Sequence, residues 1–98
     1  MVFVRRLNWD RWNLAHIARH GVTQAEVEAV CHGDPVELKR SYKDRFLVAG
    51  PTPAGRIPTV VLGPVPEAPT GVYYVFTARP AHRSERRYYH QQKGAPQP

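Results

Sequence analysis

The sequence has one cysteine, Cys31, in 98 residues. A lone thiol cannot close an internal disulfide and cannot by itself build a zinc site, so a reducing cytoplasm is the expected setting. Long hydrophobic runs are also missing. No apolar stretch approaches the roughly 20 residues that a membrane helix needs. The N-terminal MVFVRRLNWD has no extended apolar segment before a small-residue cleavage site, so no secretory signal is expected. Carboxylates are scarce, eight against 14 Lys plus Arg, and lysine is scarcer still with three copies against eleven arginines.

What is present is arginine. The net charge is +6 with a pI near 10.0, and the guanidinium offers a planar fork of donors that matches phosphate. A basic domain this small usually meets a polyanion, most often nucleic acid. The charge is unevenly spread. Residues 20–37 hold Glu26, Glu28, Asp34 and Glu37 with no Lys or Arg, whereas residues 1–19, 38–56 and 79–98 are each basic. If the basic blocks share one face, the acidic helix must point elsewhere. The length leaves room for one domain, taken as residues 1–93, with 94–98 as a disordered tail.

VFVRRL (2–7) alternates weakly and reads as a first strand. Asn8 is the expected cap of a helix from Trp9 to Arg19 or His20, with Leu14, Ile17 and Ala18 facing the core. His20-Gly21 ends it, because glycine adopts the left-handed conformation at little cost. Thr23-Gln24-Ala25-Glu26 is a capping box opening a second helix. Val22 can staple against Val27, with Ala25, Val30 and Cys31 as further apolar contacts, until Gly33-Asp34-Pro35 stops it. Strands follow at Val36–Lys39 and Arg45–Ala49 about a turn at Tyr42-Lys43-Asp44, then at Ile57–Leu62 and Val72–Ala78. Pro58 belongs at a strand start, edge or bulge. Gly50, Gly55, Gly63 and Gly71 read as turn glycines, not as a phosphate loop. A last helix is expected over Ala81–Gln92, with His82 or Ser84 as cap. The order strand, two helices, four antiparallel strands, helix describes an α+β fold with helices packed on one sheet.

The strongest chemical cluster is Thr77-Ala78-Arg79-Pro80 running into His82-Arg83-Ser84-Glu85-Arg86-Arg87-Tyr88-Tyr89. Glu85 and Tyr89 share a helix face, as do Arg83 and Arg87. Cleavage of RNA by its own 2′-hydroxyl needs a proton acceptor, a proton donor and cations on the developing phosphorane charge, with no metal. The plainer reading is that Glu85 pairs with Arg79 or a neighbouring arginine to hold the helix on the sheet. His16 and His20 have the i, i+4 spacing of zinc ligands, but no third ligand is evident and Arg19 adjoins the second. Trp9 and Trp12 are expected to pack a helix onto the sheet, with base stacking as the other option.

Trp9-Asp10, His20-Gly21-Val22-Thr23, Asp34-Pro35, Arg45 before Gly50, Thr77-Ala78-Arg79 and Glu85-Arg86 with Tyr89 occur in an order that resembles the BrnT-type ribonuclease toxins. The resemblance spans roughly residues 3–91. It implies a RelE-like fold and a cytoplasmic toxin of a type II toxin–antitoxin module. It further implies cofactor-free, metal-independent RNA cleavage that arrests translation, and an antitoxin of the ribbon-helix-helix kind. Carried over by position, His20, Arg45, Arg79 and Glu85 are the expected catalytic residues. Arg45 and Arg79 would bind phosphate, and His20 or Glu85 would move the proton. Arg83, Arg86, Arg87 and Tyr89 are the expected RNA contacts. The other reading is a non-catalytic nucleic-acid-binding or partner-docking module of the same fold. The nuclease reading needs Arg45, Arg79 and the Arg83–Arg87 stretch to converge at one rim beside a histidine or glutamate.

Overall fold

The computed structural model describes residues 3–42 and 44–94, and the side chains of all of these except 39–42. Val2 of the expected first strand, Lys43 of the hairpin turn and tail residues 95–98 lie outside the described residues. The elements in chain order are β1 (Arg6–Asn8), α1 (Arg11–Arg19), α2 (Gln24–His32), β2 (Val36–Tyr42), β3 (Arg45–Ala49), β4 (Pro58–Pro64), β5 (Val72–Pro80) and α3 (Arg83–Gln92). This is the α+β order read from the sequence.

The first helix starts two residues later than expected, and a side-chain exchange is the reason. Asp10, not Asn8, is the cap. Its Oδ1 accepts from the Asn13 amide at 3.0 Å, and Asn13 Oδ1 accepts from the Asp10 amide at 2.9 Å. Asn13 Nδ2 also donates to the Asn8 carbonyl at 2.9 Å. The inward stripe is therefore Asn13 and Ile17, i and i+4, with Asn13 only 1% exposed. Leu14 is turned aside at 37% exposure and Ala18 is exposed too, contrary to the expected core face. At the other end Gly21 has φ +73°. The Gly21 and Val22 amides donate to the Ala18 and Ile17 carbonyls, a Schellman closure.

α2 opens with the expected capping box between Thr23 and Glu26. It buries Val27, Val30 and Cys31, and Val22 is buried just ahead of it, whereas Ala25 is exposed. Burial pushes the Cys31 thiol up to about 12, with nearby Glu28 adding to the shift, so Cys31 is a small apolar core residue.

The five strands form one sheet in the order β1-β5-β4-β3-β2. β2 through β5 are antiparallel neighbours, as the turn chemistry implied, while β1 lies parallel to β5 at the edge. Directly opposed residues share a face and successive residues alternate. One face therefore carries Phe46, Val48, Val60, Leu62, Val75 and Ala78, which join Ile17, Val22, Val27, Val30 and Cys31 of the α1–α2 segment in one core. The other carries Leu47, Ala49, Thr59, Val61, Thr77 and Arg79, and α3 lies against it through Glu85. All three helices pack on the one sheet, two on one face and the third on the opposite face.

A bulge in β5 keeps these faces in phase. Val61 opposes Thr77 and Leu62 opposes Val75, so Phe76 is the extra residue. Without it Val75 would point away from the core that Ala78 enters. Gly63 is not a turn glycine but lies inside β4, where a Cβ would sit 2.5 Å from the Phe76 ring. A strand glycine of this kind marks close approach of a neighbouring group.

Replacing Asn13 with alanine removes half of the capping exchange and takes the Asn13 donor from the half-buried Asn8 carbonyl. Urea denaturation of this variant is expected to give a loss of about 1–3 kcal/mol.

Candidate functional site

The site is built on the α3 face of the sheet. α3 reads RSERRYYHQQ and buries only Tyr89, so apolar burial does little to hold it. Glu85 supplies the rest. Its carboxylate takes the Arg79 guanidinium in a two-pronged pair, Nη1 to Oε1 at 2.8 Å and Nη2 to Oε2 at 2.9 Å. Oε1 also accepts from the Thr59 hydroxyl at 3.0 Å and from the His82 amide at 2.7 Å. His82 is the helix cap, but its side chain makes no capping bond, and Glu85 reaching back to the His82 amide satisfies that terminus. Partial burial pushes the Glu85 carboxyl up, and the Arg79 fork with the two further donors overcomes this, holding it down at about 2. The same pairing raises the affinity of Arg79 for its proton.

Arg79 is not exhausted by this pair. A guanidinium has five N–H donors. Nη1 also reaches the Pro80 carbonyl at 3.4 Å, so Nε and one Nη2 hydrogen remain without a protein acceptor among the described residues.

Arg45 stands at the opposite end of the same face. Its guanidinium lies over the Phe76 ring at 3.7 Å from the centroid, and Phe76 packs edge-on against Tyr74 at 5.0 Å. The Tyr74 hydroxyl donates to both carboxylate oxygens of Asp10 at 3.1 Å, which ties this end to the start of α1. Arg79 is in register with Ala49, four residues beyond Arg45 and two strands away. That separation is roughly 13 Å along the strands and about 10 Å across them. The two arginines share a face but do not meet at one rim.

Between them lies a trough. Leu47, Val61 and Thr77 run across the sheet here in register; Leu47 lines the cavity beside α3, and the buried Thr77 hydroxyl has no hydrogen-bond partner among the described residues. One wall is the Ser84–Tyr88 side of α3, where a 220 Å³ cavity is lined by Leu38, Leu47, Ser84, Glu85 and Tyr88. The far end is Arg45 on Phe76.

The other expected residues fall around this trough. Arg83 and Arg87 are exposed on α3, with no ion-pair partner among the described residues. Arg86 Nη1 donates to the Ala81 carbonyl at 2.7 Å and turns toward a separate rim cavity shared with Arg56 and His90. Tyr89, expected to touch RNA, is 9% exposed and packs inward, while Tyr88 is 38% exposed at the cavity. His20 sits at the end of α1, its ring 5.5 Å from that of His16. Its neighbour Gly21 receives Arg56 Nη1 at 3.0 Å, and no hydrogen bond or ring contact joins His20 to the Arg79–Glu85 pair. Among the described residues no three His, Cys, Asp or Glu side chains come together as metal ligands. No helix among them is long and apolar enough to cross a membrane.

The acidic helix does point elsewhere. α2 lies on the opposite sheet face, with Glu26 on Arg56 and Glu28 on the Trp9 indole and His32. Trp9 packs on the core as expected; Trp12 does not, and is 77% exposed. Thr59 and Phe76 were missed by the sequence reading. Gly63 facing an aromatic-rich strand was the available signal for Phe76. Nothing local marks Thr59.

The Glu85 carboxyl titrates below its usual 4.5 in the folded chain, so its contribution is complete above about 4.5 and is lost as pH falls toward about 2. Melting midpoints recorded between pH 6 and pH 3 are expected to fall more steeply for the wild type than for Glu85→Gln.

No family model matches the sequence, and no curated protein matches it in sequence comparison. A solved structure does match. The chain superposes on the 1.1 Å crystal structure of the Brucella abortus ribonuclease toxin BrnT with a TM-score of 0.60. The match covers 80% of this chain and 97% of that one, at 22% identity. The chain thus shares the overall fold of that protein.

Proposed function

We propose that this protein is a metal-independent endoribonuclease of the toxin type, with the trough on the α3 face as the seat of the RNA strand. One observation carries this reading. A single sheet face holds Arg45 propped on Phe76 at one end and the Arg79 fork at the other, in a chain of net charge +6 whose fold is shared with a ribonuclease toxin.

In this scheme the 2′-hydroxyl of the RNA attacks the adjacent phosphorus and the 5′-oxygen leaves. The negative charge that grows on the phosphorane oxygens is met by Arg45 and by the unfilled donors of Arg79. Glu85 is a poor base with its carboxyl held at about 2, so it acts as a positioning residue that fixes the Arg79 fork. His20, at the end of α1 on the other side of the sheet, does not serve the trough, so in this scheme the 2′-hydroxyl gives its proton to water and the leaving 5′-oxygen takes one from water. Arg83, Arg86 and Arg87 supply phosphate contacts beyond the trough, and Tyr88 replaces Tyr89 as the accessible aromatic. No cofactor enters the scheme. The partner that follows is a small antitoxin of the ribbon-helix-helix kind, acting in the cytoplasm.

The second reading, RNA binding without cleavage, is favoured by the same Glu85 geometry, since a carboxylate with four donors is locked in place. Incubating purified protein with RNA in excess EDTA separates the two. The nuclease reading expects cleavage products that survive the chelator and fall by about a hundredfold or more in Arg45→Gln. Retarded but intact RNA would establish the binding module instead.

A further inference from the structure

The trough leaves one exposed feature unused. On α1 the side chains of Arg11, Trp12, Ala15, His16 and Arg19 line a 380 Å³ cavity on the solvent side of the helix. Trp12 is 77% exposed, an unusual position for the largest apolar side chain. Ala15, one turn beyond Trp12, is too small to cover the indole. Arg11 and Arg19 carry no ion pair or hydrogen bond among the described residues, and no carboxylate lines the cavity. Eight residues separate the two arginines, about 12 Å along the helix.

We infer that this face of α1 is a second nucleic-acid contact, where one base of a single strand stacks on Trp12 and the flanking phosphates meet Arg11 and Arg19. The choice of occupant rests on the RNA-directed reading above, and the lining itself favours it over a protein. Protein interfaces also favour Trp and Arg, but they set such anchors in a predominantly apolar core. Here the indole is the single large apolar surface, and its neighbours are two arginines and a histidine. An isolated aromatic set in a cationic groove is the pattern that binds single strands without reading sequence. Leu14, the other large exposed apolar residue of α1, lies two positions on, well around the helix, and does not extend the patch. The α1 face lies on the opposite side of the sheet from the trough, so the two contacts bind separate stretches of strand.

The test uses the full chain and a short uridine oligomer carrying 2′-O-methyl groups, which cannot be cleaved. Indole emission and fluorescence anisotropy are followed as salt is raised. Wild type and Trp9→Phe, which leaves Trp12 as the single indole, are expected to be quenched on binding. Trp12→Leu should lose the quenching and bind roughly fivefold or more weakly. Arg11→Gln and Arg19→Gln should each lower the salt slope by about 0.7. Arg45→Gln should keep the Trp12 quenching, so failure of the trough is read separately from failure of α1. Unchanged affinity and unchanged quenching in Trp12→Leu would overturn the inference. So would quenching of Trp12 by a poly-glutamate peptide and not by the oligomer, which assigns the face to an acidic protein.

Discussion

The hydrogen-bonded pairing of Glu85 with Arg79 is the interaction on which the arrangement of this molecule depends. α3 has one buried side chain, Tyr89, and a sequence dominated by charged and polar residues. Its surface bridge from Lys93 to Asp34 involves an aspartate side chain 77% exposed, and such pairs contribute little. Glu85 instead binds β5 through Arg79, β4 through Thr59 and the helix terminus through the His82 amide. One carboxylate therefore sets the position of the helix, the aim of a guanidinium and the closure of a helix end. Removing either charge leaves the other half-buried and unpaired, which is costlier than the net worth of the pair.

The β5 bulge is the second constraint. It lets Val75 and Ala78, three residues apart, enter the same core while Tyr74, Phe76 and Thr77 turn to the opposite side. That divides the sheet chemically. The α1–α2 face is an aliphatic core, and the α3 face carries cations, apolar side chains and an arginine on an aromatic ring. Gly63 is part of this division, because the Phe76 ring occupies the space its side chain would need.

Much of the fold was legible in the sequence because it rests on local chemistry. The Thr23–Glu26 box, the Gly21 stop and the β-branched strands each carry their signal within a few residues. The start of α1 was misplaced because Asp10 and Asn13 exchange hydrogen bonds, and asparagine at that position does not announce burial. The parallel pairing of β1 with β5 joins segments more than sixty residues apart, which no local pattern encodes. The Arg79–Glu85 pair was anticipated as the plainer reading of that cluster, whereas the separation of Arg45 from Arg79 depends on strand register. Tyr89 and Tyr88 exchanged places for a similar reason, since their burial depends on which side of α3 meets the sheet.

The central claim is that RNA occupies the α3 face between Arg45 and Arg79. Backbone amide shifts recorded while a 2′-O-methyl RNA oligomer is added test it most directly. The account predicts that the largest changes fall on Arg45, Phe76, Thr77, Ser84 and Tyr88, with Glu26–His32 of α2 unmoved. Changes concentrated on α2, with the α3 face silent, would contradict it.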